Sequence, residues 1–151
     1  MDRTEQQQEN QKKKDYLNGY GNAKNREKRI QEQIRKLRLD KMCPSVKYDD
    51  MPHGTDIGDL SDYMVQFEKL MDELTKERLK AVTQYTEIYR QIKRVEDDRE
   101  RDILVYRYLQ RKKWEDICVL MELSWRHVHR IHGDALKNFP NDIEWHTHIV
   151  I

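Results

Sequence analysis

From Arg3 to Met42 no proline interrupts the chain, and Tyr16, Tyr20, Ala23, Ile30, Ile34 and Leu37 follow one another mostly at three- and four-residue steps, the spacing of one helix face. The first dozen residues, with Gln6, Gln7, Gln8, Gln11 and Lys12 to Lys14, carry no such stripe. Residues 1–14 therefore read as a polar, disordered N-terminus, with the usable helix starting near Asp15. Gly19 and Gly21 each weaken the first turns by about 1 kcal/mol relative to Ala, so this end must rely on packing. Cys43-Pro44-Ser45 and Met51-Pro52-His53-Gly54 then break helical continuity and predict a connecting loop near 43–55.

Beyond that loop Leu60, Met64, Phe67, Met71, Leu74, Ala81, Tyr85, Ile88, Ile92 and Val95 form a near-heptad stripe, which predicts a long second helix. Arg78 interrupts it, either to meet an acidic partner or to carry its charge out to water. Residues 15–95 thus read as two long amphipathic helices. They either fold back on each other as an antiparallel hairpin or pair between chains as a coiled-coil homodimer, and the pattern leaves both open.

At Glu96-Asp97-Asp98 the stripe changes phase, and the acids suit the N-terminal dipole of a following helix. Three shorter helices fit what remains: Arg99 to Leu109, Trp114 to Met121 and Ser124 to Asn138, a domain over 99–139. Its expected core is Ile117, Cys118, Met121, Leu123, Val128, Ile131, Ala135 and Leu136. Pro140 stops the last helix, and 140–151 is a tail whose Ile149-Val150-Ile151 either docks or stands exposed.

Composition sharpens this picture without changing it. With 36% hydrophobic and 38% charged residues, 151 positions supply one modest core plus something elongated. Five Gly and three Pro among abundant Gln, Glu, Lys and Arg suit helices rather than sheets, so the class is all-α. A net charge of +1, from 29 basic and 28 acidic residues, excludes bulk polycation binding, and any contact with nucleic acid must come from a local patch. No run reaches the roughly 18 apolar residues of a membrane span, and Met1 to Asn10 has no apolar core like a signal peptide's, so a cytoplasmic location and no membrane partner are expected. Cys43 and Cys118 are isolated thiols, which suggests neither a metal site nor a disulfide.

The candidate chemistry lies in Trp114 to Phe139, whose apolar positions match two helices crossing through a tight turn. Ser124 can cap the second of them by accepting a bond from an exposed backbone N–H. Glu122 stands where glycine is common in such turns, which predicts a positive φ. Leu123-Ser-Trp-Arg-His-Val-His-Arg-Ile, followed by Ala135-Leu136 and preceded by Arg107-Tyr108, resembles region 4 of bacterial sigma factors. Together with Asp15-Tyr-Leu-Asn-Gly-Tyr and Tyr48-Asp-Asp-Met-Pro-His-Gly, the chain is similar over about Asp15 to Phe139 to ArpU-like and RinA-like late-gene regulators of phages and prophages. Lys113 departs from the Ser or Thr that often caps the preceding helix, and Asp134 from a frequent basic residue.

The resemblance implies a helix-turn-helix that reads double-stranded DNA near a promoter, with the long helices dimerising or meeting bacterial RNA polymerase. By position it assigns base contacts to Trp125, Arg126, His129 and Arg130. Arg can hold guanine bidentately, His can donate or accept at a base edge, and Trp can pack on a thymine methyl. Lys112, Lys113 and Lys137 are the phosphate candidates. His127, His129 and His132 lack a carboxylate or thiol to complete a ligand set, so neither metal nor cofactor is expected. Without a phosphate loop, HExxH or a nucleophile in a recognisable setting, the chain reads as no enzyme. The alternative is an adaptor that docks polymerase or a phage protein.

Overall fold

A computed structural model describes residues 2–42 and 57–142. All regular structure among them is helical: α1 (Arg3–Leu17), α2 (Gly19–Met42), α3 (Ile57–Ile92), α4 (Asp98–Leu104), α5 (Trp114–Met121) and α6 (Trp125–Asn138), with one π-helical turn, Val105–Leu109, continuing α4. The all-α expectation is met. The loop expected near 43–55 and the tail's Ile149 to Ile151 lie outside the described residues. No described helix is long and apolar enough to cross a membrane. The chain divides into two compact units, one of Ala23–Lys80 and one that combines residues through Asn22 with those from Ala81 onward.

In the Ala23–Lys80 unit α2 and α3 run antiparallel, because their side chains pair in opposite sequence order. Arg26 Nε lies 3.1 Å from Glu77 Oε2 and Arg78 Nε 3.2 Å from Glu27 Oε1. Further along, the Arg38 guanidinium sits 5.1 Å from the Phe67 ring centre and the Lys41 ammonium 5.7 Å from that of Tyr63. Ile34 and Leu74 are buried between these polar contacts, and Ala23 is buried one turn before Arg26. Arg78, the charge that breaks the apolar stripe, therefore answers Glu27, an acid that α2 buries. Burial alone would raise the pKa of Glu27, but the bonds from Lys24 and Arg78 outweigh it and hold the carboxyl below its ordinary value. Leu60, Met64, Met71 and Leu79 of α3 stay exposed.

The second unit begins earlier than the sequence pattern predicts. The Asp2 N–H donates to Glu5 Oε2 at 3.3 Å, half of a capping box that starts α1. The polar N-terminus is thus helical from Arg3, not from near Asp15, and the reason lies far away in the chain. Lys13 is fully buried, and its Nζ donates to the carbonyl oxygens of Leu136 at 2.7 Å and Lys137 at 3.3 Å. These are orphan acceptors in the last turn of α6, at the negative end of its dipole. Burial pushes the Lys13 pKa down, and Glu9 opposes the shift.

One turn further along α1, Leu17 enters the main core with Ile88, Ile92, Val95, Leu104, Tyr108, Leu109, Ala135, Leu136 and Phe139. A smaller cluster joins Ile103, Ile117, Val128 and Ile131, with Trp114, Cys118, Met121 and Leu123 packed against it. α6 feeds both clusters and so becomes the central helix of this unit. At its far end the Asn138 side-chain amide donates to both Glu100 carboxylate oxygens at 3.0 Å. α4 itself starts where the stripe changes phase, with the Asp97 side chain accepting from the Glu100 N–H at 3.0 Å. Gly19, at the start of α2, has Gln84 Oε1 2.9 Å from where a Cβ would sit, so the position admits no side chain without moving Gln84.

Lys13→Met keeps the aliphatic stem but deletes the donor, leaving the α6 carbonyls unsatisfied. It is expected to lower unfolding free energy by about 1–3 kcal/mol, read as a lower denaturant midpoint at unchanged m.

Candidate functional site

The surface around α6 is prepared by the segment before it. In the π turn the Gln110 N–H bonds to the Val105 carbonyl at 2.8 Å, and the Lys112 N–H to that of Tyr106 at 2.9 Å. Arg111 takes φ 56°, a left-handed position that the sequence did not announce. Arg107 Nη1 then donates to the Lys112 carbonyl at 3.1 Å, which pins the connection into α5. Lys113 is the exposed N-cap of α5 and offers no side-chain cap, while Lys112 beside it is half-buried.

α5 ends at Glu122, whose φ of 56° and ψ of 39° give the left-handed turn expected there. The Leu123 N–H returns to the Cys118 carbonyl at 3.1 Å, closing the helix end. Ser124 then opens α6, its hydroxyl oxygen accepting from the His127 N–H at 3.2 Å. Two helices are thereby joined through three residues, and Leu123 holds the joint against the smaller core cluster.

α6 presents three distinct faces. Val128, Ile131, Ala135 and Leu136 are buried. Arg126, Arg130, Gly133 and Lys137 are exposed, and their steps of four, three and four residues place them along one outward stripe. Arg130 Nη2 lies 3.2 Å from His127 Nε2 beside this stripe. The third face is aromatic. The half-buried His129 ring packs between Trp125 and Trp114, each centroid 4.5 Å away. Arg107 stacks over Trp114 at 4.6 Å, and His132 meets its edge at 4.8 Å. Trp125, 53% exposed, is thus an outward indole held from beneath.

The candidates named from the sequence therefore do not all stand together. Arg126, Arg130 and Lys137 share the outer stripe, with Trp125 on its flank. His129 supports Trp125, and its Nε2 is buried with no hydrogen-bond partner among the described residues. Lys112 and Lys113 stand on the connection before α5, with no bond tying their side chains to α6. Arg107 and Trp114 join the site through stacking, which no sequence spacing reveals. The one legible hint of Gly133 was a glycine inside a helix.

His132 lies deeper than an exposed polar histidine would. It is 8% exposed, and its Nε2 is 2.8 Å from the Tyr108 hydroxyl. Burial, with the positive charges of Lys14, His129 and Arg107 adding to it, lowers its pKa to about 4. Burial likewise raises that of Tyr108 to about 12. The two rings stay neutral at physiological pH. Among the described residues no three His, Cys, Asp or Glu side chains gather as a metal site. On the outside of α5, Val119 is 77% and Leu120 50% exposed, among the exposed acids Glu115, Asp116 and Glu122.

A family model described as "Protein of unknown function (DUF1492)" matches residues 43–140. No curated protein and no solved structure matches the chain.

Because His132 binds a proton less readily when folded, the unfolded chain takes up protons first as pH falls. Stability should therefore be complete above about pH 6.5 and decline by roughly 3 kcal/mol towards pH 4. Unfolding followed across that range checks this, and His132→Gln should flatten the decline; an equal slope in both proteins would assign it to other groups.

Proposed function

We propose that this chain, which belongs to the DUF1492 family, is a sequence-specific double-stranded DNA-binding protein that regulates transcription. The observation that carries the proposal is the outward basic stripe of Arg126, Arg130 and Lys137 on a helix that Ser124 caps immediately after the left-handed turn at Glu122. In this reading α5, the turn and α6 are a helix-turn-helix, and α6 is its recognition helix. A major groove about 12 Å wide admits one such helix. Arg126 and Arg130, on its first two turns, then meet base edges, and Trp125 enters as an aromatic already fixed by His129 and Trp114. Lys137, with Lys112 and Lys113 from the α5 side, supplies phosphate contacts that set affinity without reading sequence.

The antiparallel α2 and α3 serve as a helical hairpin whose exposed Leu60, Met64 and Met71 offer an apolar face for a second copy or for RNA polymerase. The resemblance to ArpU-like and RinA-like regulators makes late-gene activation in a phage or prophage the favoured role, within the bacterial cytoplasm. A second reading, a protein-docking adaptor, is favoured by the exposed Val119 and Leu120, since apolar residues among acids suit a protein better than a phosphate backbone.

The test is a salt titration of binding to a duplex selected from a random-sequence library on the wild-type chain, with scrambled duplex as control. Arg126→Ala/Arg130→Ala should abolish the preference for the selected sequence, each arginine accounting for about 1–3 kcal/mol of discrimination. Lys137→Ala should weaken both duplexes alike and reduce the salt slope by about 1. A wild-type chain that binds neither duplex at low salt would reject the DNA reading in favour of the adaptor.

A further inference from the structure

We infer that Gly133 is itself a contact point for DNA, the place where the bare backbone of α6 lies against a sugar–phosphate ridge. The inference rests on the DNA reading of α6 and adds a residue to it. Gly133 lies inside a 14-residue helix, and among the described residues no glycine has a positive φ, so no turn requires it. Among the described residues nothing outside the helix's own backbone stands within 4 Å of where its Cβ would be, so no packing among them requires it either. Glycine is the poorest helix former after proline. What the missing side chain leaves free is space on the outer face of α6.

That space falls at a defined place on the basic stripe. At about 1.5 Å of rise per residue, Gly133 is roughly 4.5 Å beyond Arg130 and 6 Å short of Lys137. A helix whose first turns enter a groove must cross the groove wall in its later turns. The wall here would cross between the base-facing arginines and Lys137, and a side chain at Gly133 would hold the helix away from it. Asp134 is exposed about 100° around the helix. Its carboxylate repels phosphate, so the ridge runs along the side marked by Arg130 and Lys137. Lys137 then neutralises it, and the backbone at Gly133 sets how closely it approaches.

The experiment uses the full chain, Gly133→Ala and Gly133→Leu, the duplex selected from the random-sequence library on the wild-type chain, and thermal unfolding of each protein. Both replacements favour helix, so neither variant should unfold below wild type, and the alanine chain should unfold a few degrees higher. Binding should fall by about fivefold or more for alanine and further for leucine, as expected when extra atoms enter a close contact. If wild type binds the selected duplex and both variants bind it equally well, the close approach at Gly133 is wrong while the DNA reading stands. If wild type selects no duplex, the DNA reading fails and takes this inference with it.

Discussion

One buried ammonium fixes the end of the helix on which the candidate site is built. Lys13 reaches from α1 to the last carbonyls of α6, where a helix must otherwise leave its acceptors to water. Desolvating a lysine is costly, and the cost is met because the partner is the negative end of a helix dipole with open acceptors. The opposite end of α6 is fixed by Ser124, and Asn138 is tied to α4 through Glu100. Between these anchors the fully buried Val128 and Ala135 set which face of the helix turns inward. The outward direction of Arg126, Arg130 and Lys137 follows from that burial on the opposite face.

The aromatic face adds rigidity of a different kind. Trp125 would ordinarily be a mobile exposed indole, but its contact with His129, and that of His129 with Trp114, remove rotamers before any partner arrives. The buried Tyr108 and His132 lie behind this stack, both neutral, so neither puts a charge beneath it. A surface residue thereby acquires the precision of a core residue through successive ring contacts.

The parts legible in the sequence were those governed by local rules. Trp114–Met121 was delimited by apolar period, α6 by Ser124 and Pro140, and the start of α4 by a run of acids suited to a helix N-terminus. The positive φ at Glu122 followed from its place in a turn. What escaped depended on distant partners. Lys13 sits in a polar run that looks solvated until α6 is laid beside it, and without that contact α1 has no apolar stripe to justify its early turns. Sequence proximity alone groups His132 with His127 and His129, whereas Tyr108, from another helix, meets it inside the fold. The π turn at Val105–Leu109 and the left-handed Arg111 have no composition signature, since neither contains glycine.

The Lys13 to Leu136 bond spans 123 positions of sequence. During synthesis α1 leaves the ribosome long before its acceptors exist, and Leu17 must wait equally long for Phe139. Ala23–Lys80, whose helices pair with each other, can close in the meantime. The order of assembly is thus written into the topology: α1 is made before Ala23–Lys80 and finds its place after it. A ribosome-bound chain ending before Phe139 would hold α1 in solvent, a target for chaperones and proteases that the finished molecule no longer presents.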